Sequence, residues 1–191
     1  MNESGNNEVR EEQSLNSNNQ DPLKKIVLSQ IGTESQSSIK GRSSSTSNAL
    51  YVPWKNGSLY ENGYISKLSH SGELQWRKQI ADVNQITTAT DKDEKIYAAW
   101  SRNSYFTKQT RGSFIAKLNP DNGEIVWKTE LESHNYIIND LHAVGNTLYA
   151  VGQYKGTKRP LFIAVNLNDG TLLWQKEVAA SDSTAFTEID S

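Results

Sequence analysis

The side chains best suited to chemistry in this 191-residue chain are three histidines, two turn segments that carry carboxylates, and a set of cations spaced among aromatic rings. His70, His134 and His142 match neither a metal-ligand spacing nor a nucleophile–base–acid triad. Asp91-Lys-Asp-Glu94 and Asn168-Asp-Gly170 have a superficial likeness to calcium loops. Both lack the alternating ligands and the closing bidentate Glu of such a loop, and Asx turns account for them. The chain has no cysteine, which excludes disulfides, thiolate zinc sites and cysteine nucleophiles. No Gly-x-Ser-x-Gly elbow, phosphate-cradling glycine loop or zinc signature occurs. No catalytic, cofactor-binding or metal-ligating residue is therefore expected, and no cofactor.

The cations and rings are different. Trp54, Lys55, Arg102, Tyr105, Lys108, Arg111, Tyr154, Lys158 and Arg159 fall in three loops, residues 54–62, 101–111 and 153–159, beside a single acid, Glu61. Cations interleaved with aromatic rings suit an acidic protein surface, an anionic glycan or a phosphate-bearing partner. The bland account is a set of ordinary solvated loops. The acids Asp91, Asp93, Glu94, Asp121 and Asp169 fall in the other turns, so the reading is of an object with one basic and one acidic rim.

These loops are positioned by a repeat. Tyr64-Ile-Ser-Lys-Leu leads to Gly72 and Trp76, Phe114-Ile-Ala-Lys-Leu to Gly123 and Trp127, and Phe162-Ile-Ala-Val to Gly170 and Trp174. The tryptophans lie 51 and 47 residues apart, and a period near 50 with strand-like content marks a repeat architecture. The middle unit resolves into strands at 86–90, 95–100, 113–118 and 124–129, joined by turns rich in Asn, Asp, Pro and Gly. The next has strands at 140–144, 147–152, 161–165 and 171–176. The preceding one has strands at 49–53, 63–68 and 73–77, with a first strand somewhere in 37–48. Pro53, which lacks a ladder donor, is expected to end its strand. His142 falls on an inner strand, and a satisfied interior histidine is its simpler account.

Four-stranded antiparallel units of this length are the blades of a β-propeller. The phrase Lys117-Leu-Asn-Pro-Asp-Asn-Gly-Glu-Ile-Val-Trp127 resembles the repeat of quinoprotein-type propellers, with their tryptophan-docking motif. It is similar too to bacterial propeller repeats with Phe-x-x-Lys-Leu before the turn. The resemblance covers about residues 26–190. It implies that Trp76, Trp127 and Trp174 dock against neighbouring blades, with Gly72, Gly123 and Gly170 in the turns. A pyrroloquinoline quinone-dependent dehydrogenase is the enzyme reading the resemblance suggests; such enzymes are far longer, and no residues matching their calcium site or base can be named here. A non-catalytic binding or scaffold module is the preferred reading.

The expected fold is all-β, with a partial propeller over 23–191 and blade repeats at about 33–80, 81–131 and 132–178. Stray strands are expected at 23–32 and 183–190. Val27-Leu-Ser-Gln-Ile-Gly aligns with Trp76-Arg-Lys-Gln-Ile-Ala, with valine in place of tryptophan. Residues 1–22 hold almost no large apolar side chains and read as a disordered tail. Three blades fall short of a ring, so another copy or a second chain would complete it, or the chain is a fragment of a larger propeller; a small self-closed ring is the alternative. The net charge of −2 argues against general nucleic-acid coating, and no apolar run is long enough for a membrane span. The start carries no signal peptide; the resemblance implies a periplasmic or secreted protein if a leader precedes it, and a cytoplasmic one otherwise.

Overall fold

The computed structural model describes residues 38–39, 42–55, 62–80, 83–102, 112–131, 136–154 and 157–178. The expected tail at 1–22 and the stray strands at 23–32 and 183–190 lie outside them. Thirteen strands follow one another: β1 (Ser38–Ile39), β2 (Ser44–Ser45), β3 (Ala49–Lys55), β4 (Gly63–Ser69), β5 (Leu74–Ile80), β6 (Val83–Thr90), β7 (Ile96–Arg102), β8 (Ser113–Leu118), β9 (Ile125–Glu130), β10 (Tyr136–Val144), β11 (Thr147–Tyr154), β12 (Pro160–Asn166) and β13 (Leu172–Glu177). They form three antiparallel meanders, β6 to β9, β10 to β13, and a first sheet in which β1 and β2 both pair with β3. Because β1 and β2 share one place in the sheet, each unit is a four-stranded blade. The described residues contain no helix.

Alternation explains the stacking. Every residue from Ile96 to Ser101 is buried, yet successive side chains on a strand point to opposite faces. Ile96, Ala98 and Trp100 pack with Tyr51, Ile65 and Ile80 of the first blade. Tyr97 and Ala99 pack with Leu148, Ile163 and Val165 of the third. A strand buried on both faces reads as a continuous apolar run, which is why the middle blade carries Ile-Tyr-Ala-Ala-Trp. The fourth strands β5, β9 and β13 are largely exposed and form the outer edge.

Three boundaries depart clearly from the sequence reading. β3 runs through Pro53 to Lys55, with Pro53 opposite Ile65. On its other side the register slips by two residues between the pairs Ile39–Trp54 and Ser44–Tyr51, and such an irregularity tolerates a residue without an N–H. β6 and β10 start earlier than expected, each with a bulge near its beginning. A bulge shifts the inward-facing positions by one, so the period-2 pattern fades there.

Candidate functional site

Each second strand, β3, β7 or β11, delivers its chain into the loop that carries the predicted cations and rings. Arg102, at the end of β7, lies over the Phe114 ring at 5.3 Å, and Lys128 of β9 lies over the same ring at 5.0 Å. Arg159 lies over Tyr154 at 5.6 Å and pairs with Glu177 at 3.0 Å. Tyr154 meets Tyr136 edge-on, and the Tyr136 hydroxyl donates to Glu177 at 2.7 Å. Lys158 is exposed with a left-handed backbone, and Lys55 is half-buried at the end of β3. Tyr105, Lys108 and Arg111 lie outside the described residues.

Trp54 does not join this rim. It is 2% exposed, stacks on Tyr64 with ring centroids 4.4 Å apart, and donates its indole N–H to Ser66 Oγ at 2.9 Å. The sequence placed it in a loop because Pro53 was expected to end the strand. With β3 continuing to Lys55, Trp54 points into a sheet face.

A second concavity was not legible in the sequence. The inner strands β2, β6 and β10 converge on a pocket of about 390 Å³ whose walls include Arg42, Ser44, Thr88, Thr90 and His142. Arg42 reaches past the second blade to pair with Asp140 at 2.7 Å, and Asp140 is 1% exposed. A buried carboxylate needs such a partner. Its partner lies 98 residues away, and no local pattern announces that. Thr88 ties Arg42 in place, donating its N–H to the Arg42 carbonyl at 3.0 Å. His142 lies on the inner strand β10, as expected, and forms part of the wall of this pocket; His70 is exposed in the turn after β4, and His134 lies outside the described residues.

The turn acids are engaged in shaping backbone. Asp91 Oδ1 accepts the N–H groups of Asp93 and Lys95, and Oδ2 accepts the Tyr97 hydroxyl at 2.9 Å. Burial, followed by that bond, pushes the Tyr97 phenol well above its ordinary range. Tyr51 is raised as well, first by burial and then by Glu94 and Asp121. The Ser47 hydroxyl and N–H donate to Glu94 and hold its carboxyl low. Asp169 is lowered chiefly by the Thr171 N–H. The Asp91 and Asp169 contacts are Asx turns, in which a carboxylate oxygen accepts the N–H two residues further on.

The recurring tryptophans form the joints. Trp76 of the first blade donates to the Pro120 carbonyl of the second at 2.9 Å, and Lys67 donates to the same oxygen at 2.9 Å. Trp127 of the second donates to the Leu167 carbonyl of the third at 3.2 Å. Each indole lies on a glycine with positive φ, 73° at Gly123 and 78° at Gly170; a Cβ there would meet indole carbons at 2.7 and 2.5 Å. Tyr51 and Tyr97 flank the two indoles with centroids 5.9 and 6.1 Å away.

The family model described as outer membrane protein assembly factor BamB matches residues 61–190. Among solved structures, BamB from Moraxella catarrhalis is 14% identical with a TM-score of 0.49, over 79% of this chain and 42% of that one. A neuraminidase-like protein of an A/little yellow-shouldered bat/Guatemala strain is 13% identical with a TM-score of 0.47, over 75% of this chain and 49% of that one. The chain thus spans less than half the length of either. No curated protein matches it.

Proposed function

The chain belongs to the propeller family described as outer membrane protein assembly factor BamB, and on that premise we propose that it is a non-catalytic scaffold module that binds a protein partner through its basic rim. The observation that carries this reading is the arrangement of rim cations over aromatic rings, Arg102 above Phe114 and Arg159 above Tyr154. Cations braced on rings are held in place at low entropic cost, and such a rim suits an acidic surface. Lys55, Tyr105, Lys108, Arg111 and Lys158 extend the same rim along the sequence. The family's printed role in assembly supports a protein partner over a small substrate. It also supports a place of action outside the cytoplasm, where outer membrane proteins are assembled. Another chain, or a further copy, completing the ring is part of the same proposal.

The test is retention on immobilised polyglutamate and on a sulfated polysaccharide, with salt elution. The protein should be held by polyglutamate, and the combined Arg102→Ala, Lys108→Ala and Arg111→Ala variant should elute at clearly lower salt with its thermal midpoint nearly unchanged. Equal elution of the two proteins would overturn the rim reading. Retention by the polysaccharide alone would reassign the rim to a glycan.

A further inference from the structure

The pocket of about 390 Å³ on the inner strands is built unlike an ordinary small-molecule site. Such sites enclose about 300–1,000 Å³ and are lined mostly by apolar side chains. Of the nine residues lining this one, only Ala89 and Leu141 are apolar, and none is acidic. Its donors and acceptors are also sorted. Arg42 can only donate. Its guanidinium is fixed by Asp140 at 2.7 Å, and 49% of the Arg42 side chain is exposed against 1% of Asp140. Asp140 does not line the pocket, so the pair turns its positive end to the cavity. The hydroxyls are committed the other way. Thr90 donates its proton to the Ser45 carbonyl at 2.8 Å. Ser44 donates to Thr88 Oγ1 at 3.1 Å, and Thr88 in turn to the Arg42 carbonyl at 3.1 Å. A hydroxyl has one proton, so Ser44 and Thr90 have only lone pairs left to offer. His142 of β10 is half-buried on the pocket wall and, when neutral, supplies one donor and one acceptor.

We propose that this pocket binds a small hydroxylated acid, its carboxylate or phosphate group on the Arg42 guanidinium and its hydroxyls donating to Ser44 and Thr90. A guanidinium holds either oxyanion through charge-assisted bonds. A plain anion has nothing to donate to the two hydroxyl oxygens, and a neutral sugar brings no charge to the guanidinium. A ligand carrying both groups matches both walls. The site is distinct from the basic rim, because β6 pairs Val83 with Arg102 at the rim end and Thr90 with Ile96 at the other. The inference is independent of the protein partner proposed for that rim.

Calorimetric titration of the full chain with gluconate, β-glycerophosphate, succinate and glucose tests it. Succinate carries charge without hydroxyls, and glucose hydroxyls without charge. Gluconate or β-glycerophosphate should bind at least about tenfold more tightly than either control, and the tighter of the two names the oxyanion. Removing Arg42 alone would leave Asp140 buried without its cation, so the pair is replaced together as Arg42→Met with Asp140→Leu, an exchange that buried ion pairs commonly tolerate. That variant should bind the hydroxy acid at least about tenfold more weakly and still be held by polyglutamate. Thr90→Val should weaken gluconate by about three- to tenfold and leave succinate unchanged, a split that a merely loosened fold would not give. The Arg102, Lys108 and Arg111 variant should bind the hydroxy acid as the parent does. Absence of binding by all four probes, equal affinity for them, or undiminished affinity in both pocket variants would overturn the proposal. Loss of hydroxy-acid binding in the rim variant would move the anion to the rim and overturn it as well.

Discussion

Trp127 and Trp174 end the same phrase, Gly-x-x-x-Trp, four residues after a glycine on a hairpin turn. Trp127 is half-buried, bonded to the Leu167 carbonyl and pressed on Gly170. Trp174 is exposed, with Tyr149 beside it at 6.2 Å. The flanking tyrosines make the contrast sharper, since Tyr51 and Tyr97 are 1% and 0% exposed and Tyr149 is 37%. One local pattern therefore produces a joint or a bare surface, and the difference is whether, among the described residues, another blade packs on the indole. The tryptophan's energy is a property of the pair of blades.

The largest expected effect comes from cutting one indole and not the other. Trp127→Ala should cost about 3 kcal/mol through lost packing and an unmatched carbonyl. Trp174→Ala should stay within about 0.5 kcal/mol, as for other exposed positions. Urea unfolding of both variants reads the difference, and equal losses would break the comparison.

A step smaller is the glycine under each peg. Gly170→Ala adds a Cβ at 2.5 Å from Trp127 on a backbone with φ 78°, and should cost about 2 kcal/mol. Gly145 shares positive φ at 58° but has open space around it. Gly145→Ala should then cost about 1 kcal/mol, the backbone term alone. Similar losses at the two sites, measured by denaturant midpoint, would mean that the indole contact adds nothing.

The smallest effect is a matter of pH. Tyr97 is raised in the folded chain, so its neutral form is favoured there, whereas the unfolded phenol ionises near pH 10. Its contribution is fully present below about pH 10 and is lost as pH rises beyond it. Thermal midpoints should fall progressively as pH rises above about 10. Tyr97→Phe should flatten that fall while costing about 1 kcal/mol at neutral pH, the bond to Asp91 being lost. An unchanged alkaline slope in the variant would place the sensitivity elsewhere.

The repeat period, the four-strand unit, the hairpin glycines and the pegs at Trp76 and Trp127 were all readable from the chain, because each follows from spacing and turn chemistry within some 50 residues. The third strand of the middle blade, at 113–118, has the bounds read from the sequence. The starts of β6 and β10 were not readable, since a bulge moves the buried positions by one. Nor was the tie between Arg42 and Asp140: a contact across three blades leaves no mark on either neighbourhood. Among the rim candidates, the rings and cations at Arg102, Tyr154 and Arg159 are brought together as pairs, while Trp54 turns inward. Pro53 misled the reading there, because its missing donor matters only if the facing strand keeps register.

Periodicity thus determined what each strand is and which of its faces is apolar, because alternation and turn preference are local energies. Only the tertiary structure decided which faces are covered, which indole is a peg and which is bare, and where a buried carboxylate finds its cation. Those outcomes depend on the neighbour across the gap, and identical phrases cannot encode different neighbours.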